Sequence, residues 1–259
     1  MTCVYLLILI AWGVLLCLNP TATHTIQKWF LPGLLGLCVV SSVCSFGYWL
    51  HFNAEAERSM VLFAVAAVLS ALKASVVRAL LVGAVEGWQV IVPLSNASPA
   101  MPLRVGFAYF AVALLYDLSV HPLNSLSAGY ALLLSVALVV LNVCVFYLLF
   151  FTLCRVVYSL MDENQAFKLR LFKHFGWCLG VAAGVYVLWA LTEILLKLSV
   201  SPLWAYTWVF TAVWEGIFLL LVLPLLLVWG IDKYSKMLAY AEELEDGNLS
   251  EEEVSMEMT

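Results

Sequence analysis

Seven stretches of this sequence are apolar over a length that can cross about 30 Å of hydrocarbon. They run from Cys3 to Leu18, Trp29 to Leu50, Met60 to Val82, Leu103 to Val120, Leu126 to Leu153, Phe175 to Leu198 and Trp204 to Trp229. A bilayer core holds no water to satisfy backbone amides and carbonyls, so such segments close their hydrogen bonds internally as helices. The expected fold is all-α: a polytopic membrane protein whose residues 1–231 form a seven-transmembrane-helix bundle. Composition agrees, because 64% of residues are hydrophobic and 11% charged, against roughly 45 to 50% apolar residues in soluble domains.

The cations set an orientation. With the N-terminus lumenal and the C-terminus cytosolic, the cytosolic segments hold Lys28, Arg104, Arg155, Lys168, Arg170, Lys173, Lys233 and Lys236, and the lumenal loops only Arg58 and Lys197. The first stretch is read as a span and not a signal peptide, since no positive charge opens it and no small-residue cleavage site precedes Asn19-Pro20. The net charge of −5 reflects a local acidic tail rather than a charged face, and nothing indicates a nucleic-acid surface. Residues 232–259 form this cytosolic tail, a short amphipathic helix (Asp232 to Glu245) followed by an acidic, disordered end. Within it Tyr234-Ser-Lys-Met237 fits the tyrosine-x-x-bulky-apolar pattern of a sorting motif that cytosolic adaptors read, a pattern short enough to arise by chance.

The third stretch is the unusual one. It is expected to continue as a helix to Pro93, where the ring ends it, yet it carries Lys73 and Arg78. A cation costs at least about 2.5 kcal/mol at the centre of a bilayer, so such residues normally face a cavity or a partner. At 1.5 Å per residue Lys73 lies about 20 Å of helix from Met60 and Arg78 about 27 Å. One reading is a cavity for a lipid headgroup or an ion, lined by Lys73, Arg78, Asp117, Asn142, Glu193 and Glu215. The other is that Lys73 pairs structurally and Arg78 snorkels to the interface.

Other chemistry is set aside. The seven cysteines fall in or beside apolar segments, without CxxC or metal-ligand spacing, and read as small core residues. There is no GxSxG, HExxH or phosphate-cradling glycine loop, and His24, His51, His121 and His174 divide between the two faces. No enzyme, metal or cofactor is expected. Asn96-Ala-Ser98 is a glycosylation sequon that this orientation places in the cytosol.

The spacing of particular residues resembles the transmembrane half of the GOLD-domain seven-transmembrane (GOST) family, also called lung seven-transmembrane receptors, and most closely its transmembrane-protein-87 branch. Tyr5 and Trp12 match that branch's first helix, and Lys73, Arg78, Gly87, Trp88 and Pro93 keep the register of its third. The run KLRLFKHF, including Lys168, Lys173, His174 and Phe175, is similar to the family's approach to the sixth helix, and Trp208, Trp214 and Trp229 repeat its tryptophan spacing in the seventh. Gln89, Val92 and Gly230-Ile231 depart from the pattern; Asn142 stands where the family has an acid, and Glu215 where it has a base. Family members resemble each other in a lumenal N-terminal domain before the first helix, which is expected to be missing here through truncation.

The resemblance implies a Golgi or endosomal protein of membrane trafficking, in endosome-to-Golgi retrograde transport or cargo handling. Its partners would be membrane lipid, membrane-protein cargo and cytosolic sorting adaptors, with a lipid or lipidated cargo held between the helices. The alternative is a cation-conducting or receptor-like protein that uses the intramembrane charges. A DRY-type triplet after the third helix and an NPxxY-type run in the seventh are absent.

Overall fold

A computed structural model describes residues 1–18, 26–55, 59–92, 97–119, 128–162, 165–198 and 207–229. These residues hold seven α-helices: α1 (Thr2–Leu18), α2 (Leu31–Glu55), α3 (Met60–Val85), α4 (Ala100–Ser119), α5 (Ala128–Asp162), α6 (Ala166–Leu198) and α7 (Thr207–Val228). A π-helical segment, Ile26–Phe30, runs directly into α2. Five of the helical segments are long and apolar enough to cross a membrane; the exceptions are α1 and α7, whose apolar stretches run Thr2–Leu18 and Ala212–Leu226. The described residues contain no β-strand, so the chain is an all-helical, seven-helix membrane protein.

α3 is the hub, packing on α2, α4, α5 and α7. From Ala71 to Val85 it is buried nearly all round, including Lys73 and Arg78. The outer surface of the bundle is apolar instead: Phe107 is 75% and Trp177 78% exposed. Apolar residues gain nothing by leaving lipid, so both faces of a membrane helix can be apolar and periodicity is weak.

The structure revises three expectations. α3 stops at Val85 and does not reach toward Pro93, which lies outside the described residues. Gly87 adopts a left-handed φ of +80°, and the amides of Gly87 and Trp88 donate to the carbonyls of Ala84 and Gly83, both at 3.1 Å. This pair of bonds is the Schellman ending that glycine permits. Second, KLRLFKHF does not precede the sixth helix but lies inside α6, which begins at Ala166. Third, only Cys38 is buried; Cys3, Cys17, Cys144 and Cys154 are exposed on the outer surface. A thiol is apolar enough to face lipid as readily as a core.

Candidate functional site

Two polar clusters meet on α3. In the first, the Lys73 ammonium lies 2.6 Å from Glu215 Oε1 on α7. The other carboxylate oxygen accepts a 2.9 Å hydrogen bond from the Tyr5 hydroxyl on α1. Phe218, one turn beyond Glu215, places its ring 4.6 Å from Lys73 Nζ, and the Tyr5 ring stands at 5.9 Å. Tyr5 and Phe218 pack edge to face with centroids 6.4 Å apart. The ammonium is thus held by one carboxylate and two ring faces, the combination that suits a cation withdrawn from water. Asp117 on α4 is close enough to feel the Lys73 charge. Tyr5 opens α1, so the start of that helix lies level with the middle of α3.

The second cluster lies five residues further along α3. Arg78 is 6% exposed, so it does not snorkel. Its Nε and one terminal nitrogen donate to Asn142 Oδ1 on α5, at 3.3 and 3.0 Å, and the other terminal nitrogen donates to the Ala74 carbonyl at 2.9 Å. The guanidinium carbon lies over the ring of Tyr109 of α4, 3.7 Å from its centroid. Asn142 in turn donates to the Leu138 carbonyl at 2.8 Å and the Tyr109 hydroxyl at 3.4 Å. These bonds fix the amide with its oxygen toward Arg78. The clusters differ in charge: Lys73 has its carboxylate, whereas no carboxylate among the described residues lies within ion-pair distance of Arg78.

Beyond them α3 ends in a closed turn. Trp88 folds back over Gly83, where a Cβ would come within 2.7 Å of its ring. The Trp88 indole donates to Glu86 at 3.1 Å, and its carbonyl accepts from the Trp229 indole at 3.0 Å. Gln89 Oε1 accepts from the Ile26 amide at 3.0 Å, and Trp12 donates to the Gln27 carbonyl at 3.2 Å. The second half of α1, the segment leading into α2 and the ends of α3 and α7 are tied together there. Burial raises the Glu86 carboxyl above the usual glutamate range, an effect that the Trp88 hydrogen bond opposes.

The remaining candidates scatter. Phe175 is fully buried against Phe172, their centroids 6.5 Å apart, while Lys173 and His174 are exposed and Lys168 is half-buried. Trp214 packs on Tyr186 at 5.2 Å. The side chains of Glu193 and Trp208, together with His24, His121, Asn96, Tyr234, Met237 and the tail, lie outside the described residues. Among the described residues no three His, Cys, Asp or Glu side chains come together as metal ligands. Sequence reasoning gave Tyr5 no role beyond its spacing and missed Tyr109, Phe218 and the contact of Gln89; the aromatic partners carry no polar signal within an apolar run.

The family profile "GOST, seven transmembrane domain" matches residues 1–230. The chain belongs to the GOST seven-transmembrane family. Within this GOST domain the match spans all seven helices, so both α3 clusters and the Gly87 turn fall inside it. No curated protein matches the chain.

Proposed function

We propose that this GOST protein works in Golgi and endosomal membranes, in endosome-to-Golgi retrograde transport or cargo handling, and that it holds the anionic part of a lipid or lipidated cargo against Arg78. The observation that carries the binding role is the charge imbalance inside the bundle. A guanidinium offers five N–H donors, and Arg78 commits three of them, to one neutral amide and one backbone carbonyl. Among the described residues Arg78 has no counter-ion; a buried cation in that position is costly in low dielectric, and an anionic headgroup would supply the balancing charge. The same imbalance weighs against cation conduction, since a cation passing Arg78 would be repelled.

The spacing of Lys73, Arg78, Gly87 and Trp88 supports the transmembrane-protein-87 branch, and that likeness supports the Golgi and trafficking role. The excess of cations at one membrane face supports a cytosolic C-terminus, from which Tyr234-Ser-Lys-Met237 could engage adaptors. We read the protein as non-enzymatic, on the lack of any catalytic template in its sequence.

Lipid co-purification tests the binding role. Mass spectrometry of the purified protein should show bound anionic lipid in wild type and less in Arg78→Gln. Asn142→Asp, which gives Arg78 an internal counter-charge, should lose lipid while keeping its thermal stability. Equal lipid in all three proteins overturns the reading. The trafficking role is tested separately, by whether Arg78→Gln restores retrieval of an endosome-to-Golgi cargo in cells that lack the protein; full rescue would divorce trafficking from Arg78.

A further inference from the structure

The KLRLFKHF run has an outward face that neither α3 cluster uses. Inside α6 the run divides at helical period: Phe172, Phe175 and Leu179 turn inward and are each 0% exposed. Arg170, Lys173 and His174 are exposed, and Trp177, the next outward position, is 78% exposed. His174 Nδ1 donates to the Arg170 carbonyl at 2.8 Å, which pins the ring along the helix with Nε2 as its remaining polar atom.

α5 carries a further exposed cation at this end of the bundle. A Cβ on Gly176 would come within 3.0 Å of Leu153, so these two residues are level in neighbouring antiparallel helices. Counting two residues along each, Arg155 stands at the height of His174, and it too is exposed. None of Arg155, Arg170 and Lys173 is ion-paired among the described residues. The one described acid at this end of the hairpin is Asp162, at the end of α5. Toward the membrane centre the surface turns apolar: Val181 on α6 is 53% exposed, and on α5 Phe151 and Tyr147 are 63% and 71% exposed and stacked with centroids 6.1 Å apart.

We infer that the outward face of the α5–α6 hairpin docks an anionic glycerophospholipid of the adjoining leaflet. Its phosphate and headgroup meet Arg170 and Lys173, with Arg155 adding its charge from the same end of α5, and an acyl chain runs along Trp177. Charge complementarity selects this occupant: three cations at the membrane edge, none of them ion-paired among the described residues, attract an anionic headgroup, and the aromatic step beneath them suits the boundary between headgroups and chains. This site lies on the outer surface and does not depend on Arg78.

The test is quenching of tryptophan fluorescence in the full chain, reconstituted in phosphatidylcholine vesicles that carry brominated phosphatidylserine or brominated phosphatidylcholine. The part of the signal that Trp177→Phe removes reports this face. Brominated phosphatidylserine should quench it at lower mole fraction than brominated phosphatidylcholine. Each of Arg155→Gln, Arg170→Gln and Lys173→Gln should shrink that preference about fivefold, and the triple variant should abolish it. Arg78→Gln should leave it intact, which separates this inference from the binding role proposed above. Lys28→Gln with Arg104→Gln, which removes cations elsewhere, should also leave it intact. Equal quenching by the two lipids overturns the inference, as does an unchanged preference in the single variants or an equal loss in the Lys28 and Arg104 control.

Discussion

At the scale of single residues, Lys73 and Glu215 form the most consequential pair, because each neutralises a charge that the bundle could not otherwise hold. Removing one partner of a buried pair strands the other, at a cost of about 3 kcal/mol or more. Glu215 is partly exposed at 27% of its side chain, which places the pair at the low end. Glu215→Gln should therefore lower the thermal unfolding midpoint clearly, and Tyr5→Phe, which removes one hydrogen bond, by about 1 kcal/mol. The double variant Lys73→Met, Glu215→Leu should recover most of the loss, since neither charge then remains; a double variant as unstable as Glu215→Gln would show that packing and not charge holds the site. Lys73, Arg78, Asn142 and Glu215 were legible in the sequence because a polar group in an apolar run has to be explained. Tyr5, Tyr109 and Phe218 were not: 14% of the chain is aromatic, and which rings face the two cations depends on how helices rotate against each other. The sequence likewise gave no means to decide that Arg78 stays buried, because snorkelling depends on whether Tyr109 and Asn142 stand beside it.

At the scale of one element, the end of α3 shows how a local signal can be outweighed by a more obvious one. Pro93 drew the boundary too far along, although glycine at position 87 marks a helix end by a separate mechanism. Any other residue at Gly87 must hold the left-handed conformation, at roughly 1 to 2 kcal/mol, and its Cβ would come within 2.8 Å of Ile91. Gly87→Ala should thus be destabilised by at least that amount. Gly83→Val should unseat Trp88 and, through the Trp88 carbonyl, release the Trp229 indole, visible as a loss of near-UV circular dichroism. Retention of the wild-type spectrum would mean that the turn is not held by Trp88. Glu86 gives this element a pH dependence. Its carboxyl is raised in the folded protein, so the folded state keeps a proton that the unfolded chain has released. Stability from this group is full below the unfolded value and is lost as pH rises through the folded one. Glu86→Gln should flatten that part of the stability profile and be more stable than wild type on its alkaline side; a profile that Glu86→Gln leaves unchanged would assign the dependence to another group.

At the scale of the whole molecule, seven helices were legible because crossing the bilayer demands length, while their packing order around α3 was not, because lipid-facing and core-facing sides are equally apolar. The length of α5 bears on topology. Its 35 residues rise about 52 Å, well beyond the hydrocarbon thickness, so one or both ends of α5 project past the membrane. Other cations gather at the end of the bundle where α5 meets α6: Lys28 before α2, Arg104 near the start of α4 and Lys168 near the start of α6, and a face that collects so many of them is expected to be the cytosolic one. A glycosylation scan tests this directly. An acceptor sequon carried in a polar spacer inserted after Leu123, between α4 and α5, should gain a glycan if the expected orientation, with that connection lumenal, holds. The same spacer inserted after Ser95, between α3 and α4, should stay unmodified, as should one appended after Thr259. Modification of the Ser95 or Thr259 insertion without that of Leu123 would invert the protein, and the Arg155, Arg170 and Lys173 face would then meet the lumenal leaflet, where anionic headgroups are scarcer. The lipid preference expected at that face and the glycosylation pattern must therefore agree, although each is measured without reference to the other.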